Sequence, residues 1–185
     1  MNLKNHFLIA MPKLDDGLFK KSVVYICEHS VEGAMGIIVN KPIMDLTVET
    51  ILTRLDITLL RQCPEFEQPV FSGGPLADEQ GFILHTPQEN FSSSIRISDQ
   101  IMVTTSLNLL RSIGSNEQPS HLLLSLGYAG WQERQLDQEI MNNDWLVIEA
   151  DPQIIFDEPI ENRWQSAAKK LGIDIATISS LTGTA

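Results

Sequence analysis

Three short apolar runs crowd the start of this chain, and none is long enough to make a helix. HFLIAMP spans 6–12, SVVYICEH spans 22–29 and AMGIIVNKP spans 34–42. Val, Ile, Phe and Tyr dominate them, which favours strands. Ser30 to Gly33 (SVEG) joins the second and third runs at hairpin length. The chain therefore opens with a strand followed by a tight hairpin, and the rest must supply partners for that small sheet.

Those partners come as an irregular mixture. Val48, Ile51, Leu52 and Leu55 share one helical face within Leu46–Leu55, with Asp45 or Thr47 as cap. Residues 62–68 read as a loop and Pro69 to Ser72 as a strand. Gly81 to Thr86 reads as a strong strand, with Phe82 and Leu84 on one face and Ile83 and His85 on the other. Ser94 to Ile97 and Ile101 to Thr105 are further short strands. Ser106 to Ile113 is a helix stopped by Gly114. HLLLSL (121–126) is continuous and apolar, so it reads as a central strand that ends in the turn Gly127 to Gly130. A helix is expected over Trp131 to Asn142, and strands over Asp144 to Glu149 and Ile154 to Phe156. The last helix starts at Pro159, presents Ile160, Trp164, Ala167, Ala168 and Leu171 as one stripe, and stops at Gly172. Hairpins and helices do not alternate strictly, which argues for an α+β fold with a mostly antiparallel sheet. One domain over 1–185 is expected, with an ordered core from about 3 to 173 and a loose C-terminal tail.

The charge balance restricts the partners. With 24 acidic and 13 basic residues the net charge is −11, which repels nucleic acid and anionic membranes. Lys20-Lys21 and Lys169-Lys170 are the basic pairs, and neither is interleaved with aromatics. No apolar run approaches the roughly 20 residues that span a bilayer. The N-terminal run is too short for a signal peptide, so the expectation is a cytoplasmic protein. Two cysteines make no disulfide framework. Cys27 reads as a buried small hydrophobe and Cys63, before Pro64, as exposed.

Candidate chemistry is sparse. Cys27 and His29 are two apart on a strand and should point the same way, as a nucleophile–base pair would. Val23 and Tyr25 continue that face, which reads as core. Ser72-Gly73-Gly74-Pro75 follows a strand, and adjacent glycines can leave backbone N–H groups free for an anion. Tight-turn geometry explains the same residues. Tyr128 and Trp131 flank a second glycine turn, where they could stack on a ligand or pack. A ligand site built at these turns would draw on Asn40, Lys41, Ser72, Gly73, Gly74, His85, Tyr128 and Trp131. Lys41 would attract an anion and His85 would exchange a proton. Asp15-Asp16 and Asp78-Glu79 read as solvated carboxylates. No catalytic set, metal-ligand set or cofactor motif is present in the sequence.

The pieces HFLIAMP (6–12), SVVYICEH (22–29), GAMGIIVNKP (33–42), GGPLADEQGFILHT (73–86), LGYAGW (126–131) and QLDQEI (135–140) occur in a specific order and spacing. Through them the chain resembles the bacterial YqgE/AlgH family over nearly its whole length. The resemblance implies a bifurcated sheet curled into a pseudo-barrel and flanked by helices. It also implies a cytoplasmic location and a role in transcriptional regulation linked to alginate production, with no defined biochemical mechanism. The chain departs from the family's pattern at polar and glycine positions. Glu79-Gln80 stands for an Asp-Arg pair, Ser106-Leu107-Asn108 for Ser-Arg-Asp, and Arg134 for a glycine. An active site that needed either arginine or that aspartate would be disabled here.

Two functional expectations result. The first is a non-enzymatic regulatory or interaction module with a basic protein partner and no direct contact with DNA or membrane. The alternative is a small-molecule or anion site, or an enzyme, at the glycine turns near Gly73-Gly74 and Gly127–Gly130.

Overall fold

The computed structural model describes residues 2–181. β1 (His6–Ala10), β2 (Val23–Ser30) and β3 (Gly33–Ile38) pair antiparallel in sequence. Ser30 lies opposite Gly33, so Val31-Glu32 makes the turn. Alternation sorts the side chains. Phe7, Ile9, Val23, Tyr25 and Ile37 enter one core layer, while Leu8, Val24, Ile26 and Ile38 enter another.

β4 (Pro42–Thr47) is a strand that the sequence reading passes over. It delivers the chain to α1 (Val48–Arg54), where Thr47 is the cap and accepts from the Thr50 amide. Val48 and Leu52 are buried, but Leu55 is 45% exposed, so the expected apolar face runs one turn too far. A 3-10 turn at Pro64–Glu67 lies where a loop is expected and buries Phe66. Cys63 caps it and is buried in the same cluster as Phe66 and Val70, which corrects the expectation of an exposed thiol.

β5 (Pro69–Ser72) matches its expected bounds, and β6 (Leu76–His85) begins before Gly81. β7 (Ser94–Arg96), β8 (Met102–Thr104) and α2 (Leu107–Ser112) follow; Ser106 caps α2 by accepting from the Asn108 amide. β9 (Leu122–Gln132) does not end at Leu126. It continues through Gly127–Gly130, so Tyr128 and Trp131 are strand residues. The next helix, α3 (Gln135–Met141), starts only after Arg134, which adopts a left-handed conformation at φ 61°. β10 (Trp145–Glu149) returns beside β1. Ile154 to Phe156 is not a strand but the end of α4 (Pro152–Phe156). Asp151 caps it by accepting from the Gln153 amide, and Pro152 fits the first turn, so the cap outweighs the β-branched pair.

The final helix is split. A 3-10 turn at Ile160–Asn162 precedes α5 (Arg163–Lys169), with Pro159 just outside. Trp164, Ala167 and Ala168 are buried, but Leu171 is 45% exposed and leaves the expected stripe. α6 (Ile175–Leu181) occupies the stretch after residue 173 that was expected to be loose, and Ile175 is buried in the main core. Residues 182–185 of that tail lie outside the described residues.

The strands join in the order β10-β1-β2-β3-β9-β6-β8-β7, with β4 on β5 and β5 on β9. β9 is where the sheet forks. Along one edge it pairs with β6. Along the other, Ser125 and Leu126 take β5 in parallel, and Ala129 to Gln132 take β3 antiparallel. The result is the α+β architecture the sequence implies, a mostly antiparallel curled half-barrel with helices around it.

Two buried polar groups tie the layers together. The Trp164 Nε1–H donates to the Ala10 carbonyl at 2.8 Å, so α5 hangs on β1. Arg163 is 5% exposed; it donates from Nε to the Glu158 carbonyl at 3.0 Å and stacks over Phe71. On the other limb His85 is fully buried. Its Nδ1 lies 2.8 Å from the Thr86 carbonyl, which can only accept, so Nδ1 carries the proton. Nε2 then accepts from Thr104 Oγ1 at 2.8 Å, and Thr104 in turn accepts from Ser94 Oγ at 2.5 Å. Burial pushes the His85 pKa below the ordinary histidine value, against a smaller opposing effect from the Thr86 carbonyl.

Trp164→Ala is expected to cost about 3–5 kcal/mol, the range for a deleted buried aromatic, and also to orphan the Ala10 carbonyl. Denaturant unfolding measures it; an unchanged midpoint would contradict the core assignment. The histidine gives a pH effect of defined sign. Its folded pKa is depressed, so the unfolded chain binds the proton more readily, and stability falls as pH drops below about 6.5. Melting temperatures at about pH 7.5 and about pH 5.5 should diverge more for the wild type than for His85→Gln.

Candidate functional site

The eight residues expected to build a site at the glycine turns are used differently. Asn40 pins the entry to β2, accepting from the Val23 amide and donating to the Lys21 carbonyl, both at 2.8 Å. Lys41 donates from Nζ to the Lys20 carbonyl, and its carbonyl accepts from the Ser72 amide at 2.8 Å. Burial, then the neighbouring Lys21 and Lys20, lower the Lys41 pKa. The Gly73 amide donates to Leu126 and the Gly73 carbonyl accepts from Ile38, so this N–H is committed to the fork. A Cβ on Gly73 would sit 2.3 Å from the Gly127 oxygen, and one on Gly74 would sit 2.0 Å from the Tyr128 carbonyl carbon. Both glycines let backbone pack on backbone. His85 is remote: Leu76 pairs with Tyr128 but His85 pairs with Leu122, six residues along β9, about 20 Å.

Tyr128 and Trp131 do share a hollow. It is an open trough of about 710 Å³ over β3, β6 and β9, with Met35, Phe82 and Tyr128 among its apolar wall residues and Glu28 and Glu32 as its acidic ones. The Phe82 and Tyr128 rings meet edge to face at 5.7 Å. Trp131 is 6% exposed and is held from behind. Its Nε1–H and that of Trp145 both donate to Glu139 Oε2 at 2.8 Å, and the two indoles pack edge to face at 6.0 Å. The other six candidates have no place on this trough's wall.

At Glu28, Met35 and Phe82 the trough opens into a second hollow of about 480 Å³ between β2 and β7. Cys27, Ile97 and Val103 add apolar surface there, and Lys4 and His29 add charge or polarity. The expected Cys27–His29 pair is broken by a β-bulge. Register shifts between Ile26 and Glu28, leaving Cys27 as the extra residue. Glu28 then pairs with Met35 and His29 with Ala34. His29 Nδ1 accepts from the Leu3 amide at 2.9 Å. Burial pushes the Cys27 thiol up to about 12, with the nearby carboxylate of Glu28 adding to it and Lys4 opposing. A thiol so held stays protonated and is a poor nucleophile.

Glu28, Glu32, Met35 and Phe82 are among the wall residues that the sequence reading leaves out. Phe82 was placed on the correct face by alternation, but nothing local reveals the curl that brings β2 opposite β7. Among the described residues no cluster of His, Cys, Asp and Glu could hold a metal ion, and no helix is long and apolar enough to cross a membrane.

Comparisons with known proteins agree with this architecture. A UPF0301 protein of Serratia proteamaculans is 54% identical, with all of both chains covered, and a UPF0301 protein of Proteus mirabilis matches equally. The solution structure of the AlgH protein of Pseudomonas aeruginosa superposes with a TM-score of 0.79 at 37% identity, covering 100% of this chain and 95% of that one. A Corynebacterium diphtheriae protein shares the fold at 20% identity with a TM-score of 0.76, over 96% and 91% of the two chains. The AlgH-like family model matches residues 7–176, and the chain belongs to that family.

Proposed function

We propose that the protein is a non-enzymatic interaction module that acts in regulation through a protein partner and not by direct contact with DNA. The observation that carries this is the trough: a broad apolar floor open to solvent, bordered by the exposed carboxylates Glu28 and Glu32. Such a surface suits a segment that offers an apolar anchor flanked by Lys or Arg. The protonated thiol of Cys27, set apart from His29 by the bulge, supplies no activated nucleophile beside it. The net charge of −11 repels phosphate and makes a regulatory effect on transcription indirect.

Crosslinking in a bacterial lysate at physiological salt tests this with three proteins side by side. Wild type should retain a basic partner. Glu28→Lys with Glu32→Lys should lose it, and so should Tyr128→Ala, with melting temperatures close to wild type for the charge variant. A partner retained equally by all three would remove the trough from consideration. Duplex DNA should give no sub-micromolar, salt-sensitive mobility shift, and such a shift would overturn the indirect mode.

A further inference from the structure

Between the sheet and the helices α1 and α2 lies a separate hollow of about 420 Å³ that shares no wall residue with the trough. Its floor is β6 and β9, through Gly81, Ile83, Leu124 and Leu126. Ile51 and Leu55 of α1 form one wall, and Leu107 and Leu110 of α2 form another. The volume falls in the range of small-molecule sites, and the lining is largely aliphatic.

Gly81 is the informative residue. At Gly73 and Gly74 a Cβ would strike backbone, which explains those glycines. At Gly81 a Cβ would meet nothing closer than Leu124 Cδ1 at 3.9 Å, and its backbone needs no positive φ. Neither packing nor conformation demands a glycine there. What the missing side chain provides is space on the floor of this hollow, as where a ligand approaches a strand closely.

The hollow also carries both signs of charge. Arg54 stands in the last turn of α1 and Glu79 on β6, both exposed. The side chains of Arg54 and Glu79 make no hydrogen bond or ion pair within the described residues. A simple fatty acid would meet Glu79 as well as Arg54, and an alkylamine the reverse.

The geometry points to a site for a free aliphatic α-amino acid, with its carboxylate toward Arg54, its ammonium toward Glu79 and its side chain over Gly81. A residue inside a peptide has neither charge, so the free amino acid is the matching form.

The test uses full-length protein and backbone amide NMR, with L-leucine as probe. Saturable shifts should centre on Gly81, Leu107 and Leu126. The single-charge analogues 4-methylpentanoate and isoamylamine should bind at least about tenfold more weakly, as should Arg54→Gln and Glu79→Gln with leucine. Gly81→Val should fill the floor and abolish binding while keeping the wild-type melting temperature. No saturable response to leucine, equal binding of either analogue, or leucine binding unchanged in folded Gly81→Val would each overturn the site. If Gly81→Val does not fold, the double variant Arg54→Gln, Glu79→Gln decides, because both side chains are exposed; undiminished binding there overturns the proposal.

Discussion

The contact on which this fold depends is between two stretches of main chain. Gly73 and Gly74 lie directly on Gly127 and Tyr128, at distances no side chain could share. Gly73 donates to Leu126 and accepts from Ile38, so one residue ties both branches of the sheet to β9. Gly127, at φ +76°, lies where β9 changes neighbours from β5 to β3 and where its register with β6 shifts between Leu76 and Gly81. Without that close approach the two branches could not share a strand, and the curl that creates the trough would be lost. Chemistry that looks like an anion loop in the sequence is in this way consumed by architecture.

The distribution of polar groups follows the same logic. Side chains that the interior must bury are held by fixed partners: His85 by Thr86 and Thr104, Arg163 by backbone carbonyls, and both indoles of Trp131 and Trp145 by one carboxylate. Each is satisfied, which lowers the cost of taking it out of water. The side chains of Glu28, Glu32, Arg54 and Glu79, which have no such partners among the described residues, sit at hollows instead. That contrast, more than any motif, separates the residues that hold the fold from the residues left available to a partner or ligand.

Local periodicity made much of the fold legible. The β1–β2–β3 meander, the β5 strand, the Thr47 cap (with Asp45 as the other candidate) and the stripe around Trp164 rest on neighbours within a few positions, and alternation or capping chemistry reports these directly. The errors have physical causes of another kind. LGYAGW looks like a turn because glycines end most strands, yet here they admit a crossing backbone from residues 73–74. The triplet Ile154–Phe156 has strand propensity, but Asp151 and Pro152 impose a helix. Cys27 and His29 obey period two until a bulge, invisible in the sequence, separates them. Of the candidate site, Tyr128 and Trp131 were found because exposed-looking aromatics beside glycines draw attention. Glu28, Met35 and Phe82 come together only through the curl of the whole sheet.

The position of β9 in the chain has a consequence for synthesis. It is the strand that joins β3, β5 and β6, yet it ends at Gln132, so the ribosome makes its acceptors first. At about 5–20 residues per second, the nascent chain spends on the order of ten seconds with β3 and β5 as open strand edges. Those edges carry Ile37 and Ile38 on β3 and Val70 and Phe71 on β5, apolar residues of the kind that pair with other chains when left uncovered. The growing polypeptide therefore has a defined window of vulnerability, closed when the central strand emerges, and in that interval rather than in the finished molecule its need for chaperone protection is greatest.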